Sequence, residues 1–258
     1  MKTVAVVLAV ALCASTAAAD LPEMKSRGTL RVIAAAEEQP ETFSFEAGTD
    51  PGFERELIEG FARLEGLKVE VVAAKSHADR IPMLRAGAGD VIVAIFDTEE
   101  RRKQVAFTDE VMPTHNVVVT MAGAPPVTRM EELREKRIGV VNGTASVQDA
   151  LAAGVPASGL VKFDGGDAAI EALRTGGIDA TIRPISEFAL SAKRVKGLRA
   201  GMVVGPSGKV AWGVRKEDAR LLRALDDYLG NARRAATWNR LLVKYFGDQA
   251  LDVLGRKP

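Results

Sequence analysis

Residues 87–109 read Gly-Ala-Gly-Asp-Val-Ile-Val-Ala-Ile-Phe-Asp-Thr-Glu-Glu-Arg-Arg-Lys-Gln-Val-Ala-Phe-Thr-Asp and carry the clearest structural signal in the chain. The continuous apolar run from Val91 to Ile95 is typical of a strand buried on both faces of a parallel sheet. The acids after Thr98 are typical of the first turn of a helix. In open α/β sheets, ligands bind where a strand turns into a helix at its carboxyl end. The stretch therefore predicts an α/β fold with a ligand site after Ile95.

A second stretch repeats this order of features. Residues 168–173 read as a helix, and residues 175–182 then give a glycine turn, an aspartate and an apolar strand, as residues 84–93 do. Two lobes built alike are therefore expected.

The amino-terminal residues have the features of a secretory signal peptide. Lys2 is followed by an apolar run and by Ala17-Ala18-Ala19, which is typical of a cleavage site. Residues 1–19 are expected to be removed, leaving a soluble periplasmic chain that begins at Asp20. Cys13, the only cysteine, lies inside the signal, and the residue before it, Leu12, is not the small residue expected ahead of a lipid-modified cysteine.

Charge and composition argue against several functions. Without Lys2 the 35 basic residues become 34, equal to the 34 acidic residues. A balanced charge does not favour nucleic-acid binding, which depends on a basic face. Two histidines, His77 and His115, and a mature chain without cysteine predict neither a metal site nor a cofactor.

Several short motifs, taken in order, resemble a known family. They are Gly-x-x-Asp-Val-Ile, Thr-x-x-Arg and Val-x-Phe-Thr-Asp in the opening stretch, Gly-Phe-Glu-Arg-Glu-Leu at 52–57, Ile-Gly-Val at 138–140, and residues 238–247. This order resembles the family 3 extracellular solute-binding proteins, the periplasmic binding proteins of polar amino acid ABC transporters. The resemblance covers about Gly28 to Gly247.

The resemblance implies a fold and a division into domains. It implies a two-lobed α/β periplasmic-binding-protein fold with two crossover hinge segments and a ligand cleft between the lobes. Lobe one is expected at 20–113 and 206–258, and lobe two at 114–205, with hinges near Thr114 and Gly205. Closure of the cleft on binding is expected.

The resemblance also assigns the site. It places the arginine of Thr-x-x-Arg, which is Arg101, on the ligand carboxylate, where a guanidinium can bind with two parallel hydrogen bonds. The turn at Gly143-Thr144 opens a helix whose backbone N–H groups can hold an anion. The expected ligand-binding residues are Phe43, His77, Phe96, Thr98, Arg101, Gly143, Thr144 and Arg183.

One departure from the family pattern concerns the ligand's amino group. Pro184 stands where the family has an aspartate that accepts from the ligand ammonium, and Arg183 precedes it. Proline offers only a carbonyl, which favours an anion such as a carboxylic or dicarboxylic acid. The alternative left open is that Glu187, Asp97 or an acid among residues 37–41 replaces the missing aspartate.

The expected function is the solute-binding component of an ABC importer. Its partners would be a small carboxylate ligand and a membrane permease, and the chain is expected to be a monomer and not an enzyme. The alternatives are a cyclohexadienyl-dehydratase-like periplasmic enzyme that uses Glu187 or His77, and an accessory binding protein of a periplasmic dehydrogenase. A murein-cleaving relative is not expected, because it would need a further catalytic domain.

Overall fold

A computed structural model describes residues 20–125 and 127–247. The predicted signal peptide, with Cys13, lies outside these residues and stays a prediction. The helices are α1 Leu21–Arg27, α2 Phe53–Leu64, α3 Arg80–Arg85, α4 Glu99–Arg102, α5 Ala145–Ala152, α6 Gly166–Arg174, α7 Ile185–Arg194, α8 Ala219–Arg234 and α9 Thr237–Phe246. The strands are β1 Thr29–Ala35, β2 Lys68–Ala74, β3 Val91–Phe96, β4 Ala106–Phe107, β5 Met112–Met121, β6 Ile138–Val141, β7 Leu160–Phe163, β8 Ala180–Pro184 and β9 Leu198–Val214.

The strands of the described chain form a mixed sheet in the order β2-β1-β3-β9-β5-β8-β6-β7, with β4 beside β9. In lobe one, β1 is parallel to β2 and β3. In lobe two, β6 is parallel to β7 and β8. The long strands β5 and β9 run antiparallel between these halves and join the lobes. This is the two-lobed α/β fold that the sequence predicted.

The predicted domain boundaries fall inside the two joining strands. Residues 113 and 114 lie in β5, and residues 205 and 206 lie in β9. Gly205 has φ +76°, and a Cβ built there would lie 2.5 Å from Cγ of Asp149 in α5. The backbone therefore bends close to lobe two at this point, while the exact lobe limits stay a prediction.

The repeated Gly-x-x-Asp turn has the same structural role in both lobes. Asp90 accepts from the backbone N–H of Arg31 at 2.8 Å and from its guanidinium at 2.8 Å. Asp179 accepts from the backbone N–H of Arg137 at 2.8 Å and from its guanidinium at 2.7 Å. In each lobe the aspartate before one strand therefore ties down the start of the neighbouring strand.

The larger apolar core lies in lobe one. It is built around Phe53 and Phe61 of α2, Trp212 of β9, and Trp238 and Phe246 of α9, all buried. Leu221, Leu225 and Leu229 of α8 are buried in the same core.

Leu57, Phe61 and Leu64 are spaced i, i+4, i+7, which predicts that all three share the buried face of α2. Leu64 is 67% exposed, whereas Leu57 and Phe61 are fully buried. The buried face instead includes Glu54, Ile58 and Ala62, and Leu64 is the last residue of the helix.

Lobe two has its own core, formed where α5, β6 and β8 meet. Its buried members include Val118, Ile138, Val140, Ala150 and Ile182. No helix within residues 20–125 and 127–247 has the length and apolar character needed to cross a membrane.

Candidate functional site

A cavity of about 50 Å³ lies between the lobes. It is lined by Glu38, Thr42, Glu54, His77, Arg80, Ala94, Phe96, Arg101, Met112, Thr144, Ala145, Pro184, Ser186, Glu187 and Val210. A cavity of about 150 Å³ can hold benzene, so this cavity is smaller than one that takes a benzene-sized solute.

Arg101 reaches this cavity from the short helix α4. Thr98 caps that helix by accepting from the Arg101 backbone N–H at 3.3 Å. The guanidinium donates from Nη1 to the Phe96 carbonyl and from Nη2 to the Gly143 carbonyl, each at 2.8 Å. Burial, and then the charge of Arg80, lower the pKa of Arg101 to about 10, so it stays charged at neutral pH. Of its five N–H donors, those beyond these two bonds can take a carboxylate.

The Gly143-Thr144 turn faces Arg101 from lobe two. Gly143 has φ +72°, a conformation that favours glycine. Thr144 precedes α5, and its hydroxyl donates to the Val141 carbonyl at 2.7 Å instead of capping the helix. The first N–H groups of α5 therefore have no side-chain cap from Thr144, and Ala145 at the start of the helix lines the cavity.

A buried ionic cluster lines the lobe-one wall. Arg80 donates to the carbonyls of Val93 and Ala94 at 3.2 and 2.9 Å, and lies 3.4 Å from Oε1 of Glu38. His77 Nδ1 lies 3.5 Å from the same oxygen. At this distance, with a neutral ring, the contact is not an ion pair.

The pKa values of this cluster depart from their ordinary range because water is excluded. Burial raises the pKa of Glu38 to about 8, and the neighbouring Arg80 opposes that rise. Burial, with the charges of Arg80 and Arg101, lowers the pKa of His77 to about 2. The imidazole is therefore neutral, and the Glu38 carboxyl gains or loses a proton near physiological pH.

Glu54 forms the floor of the cavity. It is fully buried on α2, and Trp212 Nε1 donates to its Oε2 at 2.5 Å. Burial raises the pKa of Glu54 to about 7, while the Trp212 indole and the Ala94 N–H act against that rise. A second carboxyl thus titrates near neutrality in the same cavity.

Two expected ligand-binding residues lie elsewhere. Phe43 is fully buried in the lobe-one core, with its ring centroid 5.3 Å from that of Phe45. Arg183 is 2% exposed, donates to Glu187 at 2.8 Å and does not line the cavity. Phe43 fills core space, and Arg183 is held by Glu187, four residues further on. Neither side chain lines the cavity, and their contact with the ligand stays a prediction. Pro184 does line the cavity.

The structure also brings in residues that the sequence analysis did not select. They are Glu54 and Arg80, which line the cavity, and Glu54 lies in the motif at 52–57. The sequence pattern could have indicated Glu54, because it shares a helix face with Leu57, Ile58 and Phe61, and a charged residue on an apolar face is unusual. Glu38 lies in the loop that was left open as a source of acid.

A second cavity of about 620 Å³ lies on the other side of Phe96, Arg101 and Thr144. Thr98 and Gly143 line this cavity, together with Asn142 and residues 206–208 of β9. Of the expected residues, Phe96, Arg101 and Thr144 line both cavities, His77 lines the first, and Thr98 and Gly143 line the second.

The lobes also touch directly. Gln39 of lobe one donates to Asp167 at 3.2 Å and accepts from Arg194. Leu190 of α7 is buried and packs into the lobe-one core. Lobe contact therefore extends well beyond the cavity.

Comparison with protein families gives one match over most of the chain. The model of "Bacterial extracellular solute-binding proteins, family 3" matches residues 30–248.

Solved structures agree with this match. A mutant of ArgBP from T. maritima has a TM-score of 0.80 and 28% identity, covering 88% of this chain and 99% of that one. The ancestral amino acid-binding protein AncCDT-1, a precursor of cyclohexadienyl dehydratase, has a TM-score of 0.79 and 26% identity, covering 88% and 99%.

Curated relatives include enzymes. Membrane-bound lytic murein transglycosylase F of Stutzerimonas stutzeri (strain A1501) is 30% identical over 244 residues, which are 92% of this chain and 49% of the relative. The chain thus spans about half the length of these relatives. This finding contradicts the prediction that the chain is not an enzyme, and a murein-cleaving relative, which was not expected, is found.

Proposed function

The chain belongs to the bacterial extracellular solute-binding proteins of family 3, and we propose that it captures a small carboxylate-bearing solute in the cleft between its lobes. The observation that carries the proposal is the position of Arg101. Its guanidinium is buried, charged and bound to carbonyls of both lobes, through Phe96 and Gly143. A carboxylate bound to Arg101 would lie beside the Gly143-Thr144 turn of lobe two, whose backbone N–H groups could also donate to it, and contacts to both lobes favour the closed arrangement.

We propose further that the protein works in the periplasm as a monomer and delivers its ligand to the permease of an ABC transporter. The family membership supports this role. ArgBP and the other amino acid-binding structures to which the fold is similar support a small ligand with a carboxylate.

The test is to substitute Arg101 after a ligand is found. Proteinogenic L-amino acids and simple carboxylic acids are screened by thermal shift, and the best ligand is measured by calorimetry. Arg101→Ala is expected to cost on the order of 2–5 kcal/mol of binding free energy, because it removes one partner of a buried charged pair.

The matched control is the next residue. Arg102 is mostly exposed and paired with Asp97, so Arg102→Ala is expected to leave affinity unchanged. Equal affinity of Arg101→Ala and the parent protein contradicts the proposed function.

A second candidate is the binding part of a murein-lytic system, favoured by the identity with the transglycosylase F relatives over 92% of this chain. In this case the ligand is a murein fragment that carries a carboxylate. Incubation with purified murein sacculi, followed by chromatography of released fragments, tests for lysis. Calorimetry with soluble murein peptides tests for binding alone.

A further inference from the structure

The Glu54 carboxyl group in the cavity wall has one bonded oxygen and one open oxygen. Glu54 is fully buried on α2 and lines the same cavity as Arg101. Trp212 Nε1 donates to its Oε2 at 2.5 Å, whereas Oε1 is buried and has no hydrogen-bond partner among the described residues. A buried polar atom without a partner costs about 1–3 kcal/mol, so Oε1 marks a place that a ligand group completes.

The open oxygen is also the position for a proton. Burial raises the pKa of Glu54 to about 7, while the Trp212 indole and the Ala94 N–H act against that rise. Because Oε2 already accepts the indole N–H, the proton of the neutral carboxyl group lies on Oε1. Neutral Glu54 therefore offers an unused O–H donor to the cavity, whereas ionised Glu54 offers an unused acceptor.

The other charged and titratable groups that line the cavity come from several elements. They are Arg80 on α3, Arg101 on α4, Glu187 on α7, and Glu38 and His77 in loops. Glu37 acts on Glu38 from the same loop but does not line the cavity. Burial, and then the charges of the two arginines, lower the pKa of His77 to about 2, so the imidazole carries no charge.

The sum of these charges decides which protonation state accepts an anion. With its three carboxyl groups ionised, the cavity lining holds three negative charges against two positive ones. With Glu54 and Glu38 protonated, it holds one negative charge against two positive ones. In a site that excludes water, the protonated wall is therefore the one that accepts a carboxylate.

Other acids near the cleft are held by the protein's own cations. Glu187 accepts from Arg183 at 2.8 Å, and Asp97 is paired with Arg102 at 2.6 Å. In lobe two, Pro184 lines the cavity and has no side-chain acceptor. The cleft is therefore poor in free acceptors for an ammonium group, and an anionic ligand without that group fits it better.

We propose that neutral Glu54 donates a hydrogen bond from Oε1 to the ligand carboxylate at Arg101, so that the protein takes up a small monocarboxylate together with a proton. This inference rests on the proposed function, because that function places the carboxylate at Arg101. A carboxylate that fills a cavity of about 50 Å³ beside Arg101 also meets Glu54. An O–H group that donates to a carboxylate forms a short, charge-assisted hydrogen bond. The proton comes from solvent and stays on Glu54, and no bond of the ligand breaks.

The proposal fixes the direction of the pH dependence. Only protonated Glu54 donates, so the apparent dissociation constant is the intrinsic one divided by the protonated fraction. With a pKa of about 7, that fraction falls from about nine tenths at pH 6 to about one hundredth at pH 9. Affinity for a monocarboxylate, which stays ionised over this range, is therefore expected to fall by of the order of 100-fold. Glu38, with its pKa of about 8, adds to the fall at the upper end.

The experiment measures three pairs of probes by calorimetry at pH 6 and pH 9. The pairs are acetate with glycine, propanoate with L-alanine, and 3-phenylpropanoate with L-phenylalanine, each on the parent protein, Arg101→Ala, Glu54→Gln and Glu38→Gln. Glutamine keeps a donor group and does not titrate, so Glu54→Gln imitates the protonated side chain. Glu59→Gln on the same helix is the control, since Glu59 does not line the cavity. Circular dichroism melts verify that each variant is folded.

The expected result is that at least one carboxylate binds the parent at pH 6 more tightly than its amino acid does. Its affinity for the parent and for Glu59→Gln is expected to fall by of the order of 100-fold at pH 9, whereas Glu54→Gln loses no more than about tenfold, the part due to Glu38. Binding enthalpies in phosphate and in Tris buffer at pH 7 are expected to differ by the heat of the protons that the complex takes up. Should Glu54→Gln not fold, this proton uptake and Glu38→Gln decide.

Two contrary outcomes are distinguishable. Equal affinity at pH 6 and pH 9 without proton uptake, for a probe whose binding Arg101→Ala weakens, overturns the Glu54 donor and leaves the proposed function standing. An amino acid that binds more tightly than its deaminated partner and that Glu54→Gln weakens at pH 6 has the same meaning. No binding by any probe, or binding that is insensitive to Arg101→Ala, overturns both.

Discussion

At the scale of single residues, Gly143 shows how a turn sets the distance between lobes. Its φ of +72° favours glycine, and a Cβ built there would lie 2.5 Å from the backbone nitrogen of Ala78 in lobe one. Its carbonyl also accepts from Arg101. The missing side chain thus allows two backbones to meet across the cleft.

We predict that Gly143→Ala weakens ligand binding by about 1–3 kcal/mol, because the added methyl group holds the lobes apart and strains the turn. Calorimetry measures the loss. Gly176→Ala is the control, since Gly176 also has positive φ but its Cβ position is open. Similar affinity of both variants contradicts the prediction.

A second prediction at this scale concerns Glu38 and pH. Its pKa is about 8 in the folded protein, against 4.5 as the ordinary value. The folded state therefore holds a proton that the unfolded state releases, and stability falls as pH rises from about 4.5 to about 8. The charged groups that act on Glu38 are Arg80, Glu187, Glu54 and Glu37.

Glu38→Gln is expected to remove this fall in stability with rising pH, because glutamine does not titrate. Relative to the parent, its free energy of unfolding should rise by of the order of 1–3 kcal/mol between pH 5 and pH 8.5. Urea unfolding at both pH values measures the difference. His77, whose folded pKa is lowered, acts in the opposite direction below pH 6.5 but is present in both proteins. A difference that does not change with pH refutes the expectation.

At the scale of elements, the Gly-x-x-Asp turn precedes both β3 and β8, but its aspartate is buried in lobe one and partly exposed in lobe two. Asp90 is fully buried and bonds Arg27 as well as Arg31. Asp179 has a side chain that is 37% exposed and bonds Arg137. Because water screens the Asp179–Arg137 pair more than the Asp90–Arg31 pair, the same hydrogen bonds should stabilise lobe one more than lobe two.

We therefore predict that Asp90→Asn costs about 3–5 kcal/mol of unfolding free energy, whereas Asp179→Asn costs less than about 1 kcal/mol. Chemical denaturation at pH 7 compares the two variants directly. A larger loss of unfolding free energy for Asp179→Asn than for Asp90→Asn would contradict this prediction.

At the scale of the whole molecule, the lobes are joined by more than the cleft. The Gln39 side chain bonds both Asp167 and Arg194, and Leu190 of lobe two is buried in the lobe-one core. These contacts lie between segments more than 120 residues apart and stabilise the closed arrangement directly. Ligand binding then adds to an existing preference for closure.

Gln39→Ala is accordingly predicted to enlarge the radius of gyration of the ligand-free protein in small-angle scattering, since it removes the two polar contacts that Gln39 makes between the lobes. Saturating ligand should bring the variant back toward the parent value. Glu41→Ala, in the same loop, should have no effect. An unchanged radius in Gln39→Ala would show that the contacts at Leu190 and between Arg101 and Gly143 suffice.

The local pattern of residues was enough to predict β3, the start of α4 and the repeated turn, because periodicity, caps and glycine turns act over a few neighbouring positions. The two-lobed fold followed from the order of such motifs. The assignment of Arg101 to the ligand carboxylate is still a prediction, although its place in the cavity agrees with it.

The lining of the cavity and the contacts between the lobes depend on how distant segments pack. Glu54 and Arg80 line the same cavity although they lie on different helices, and Phe43 lies in the lobe-one core. Gln39 meets Arg194 across 155 positions of sequence. The Arg183–Glu187 pair is local, but the burial of Arg183 is not. Burial and contacts between remote residues depend on the tertiary fold, so no window of neighbouring residues contains them.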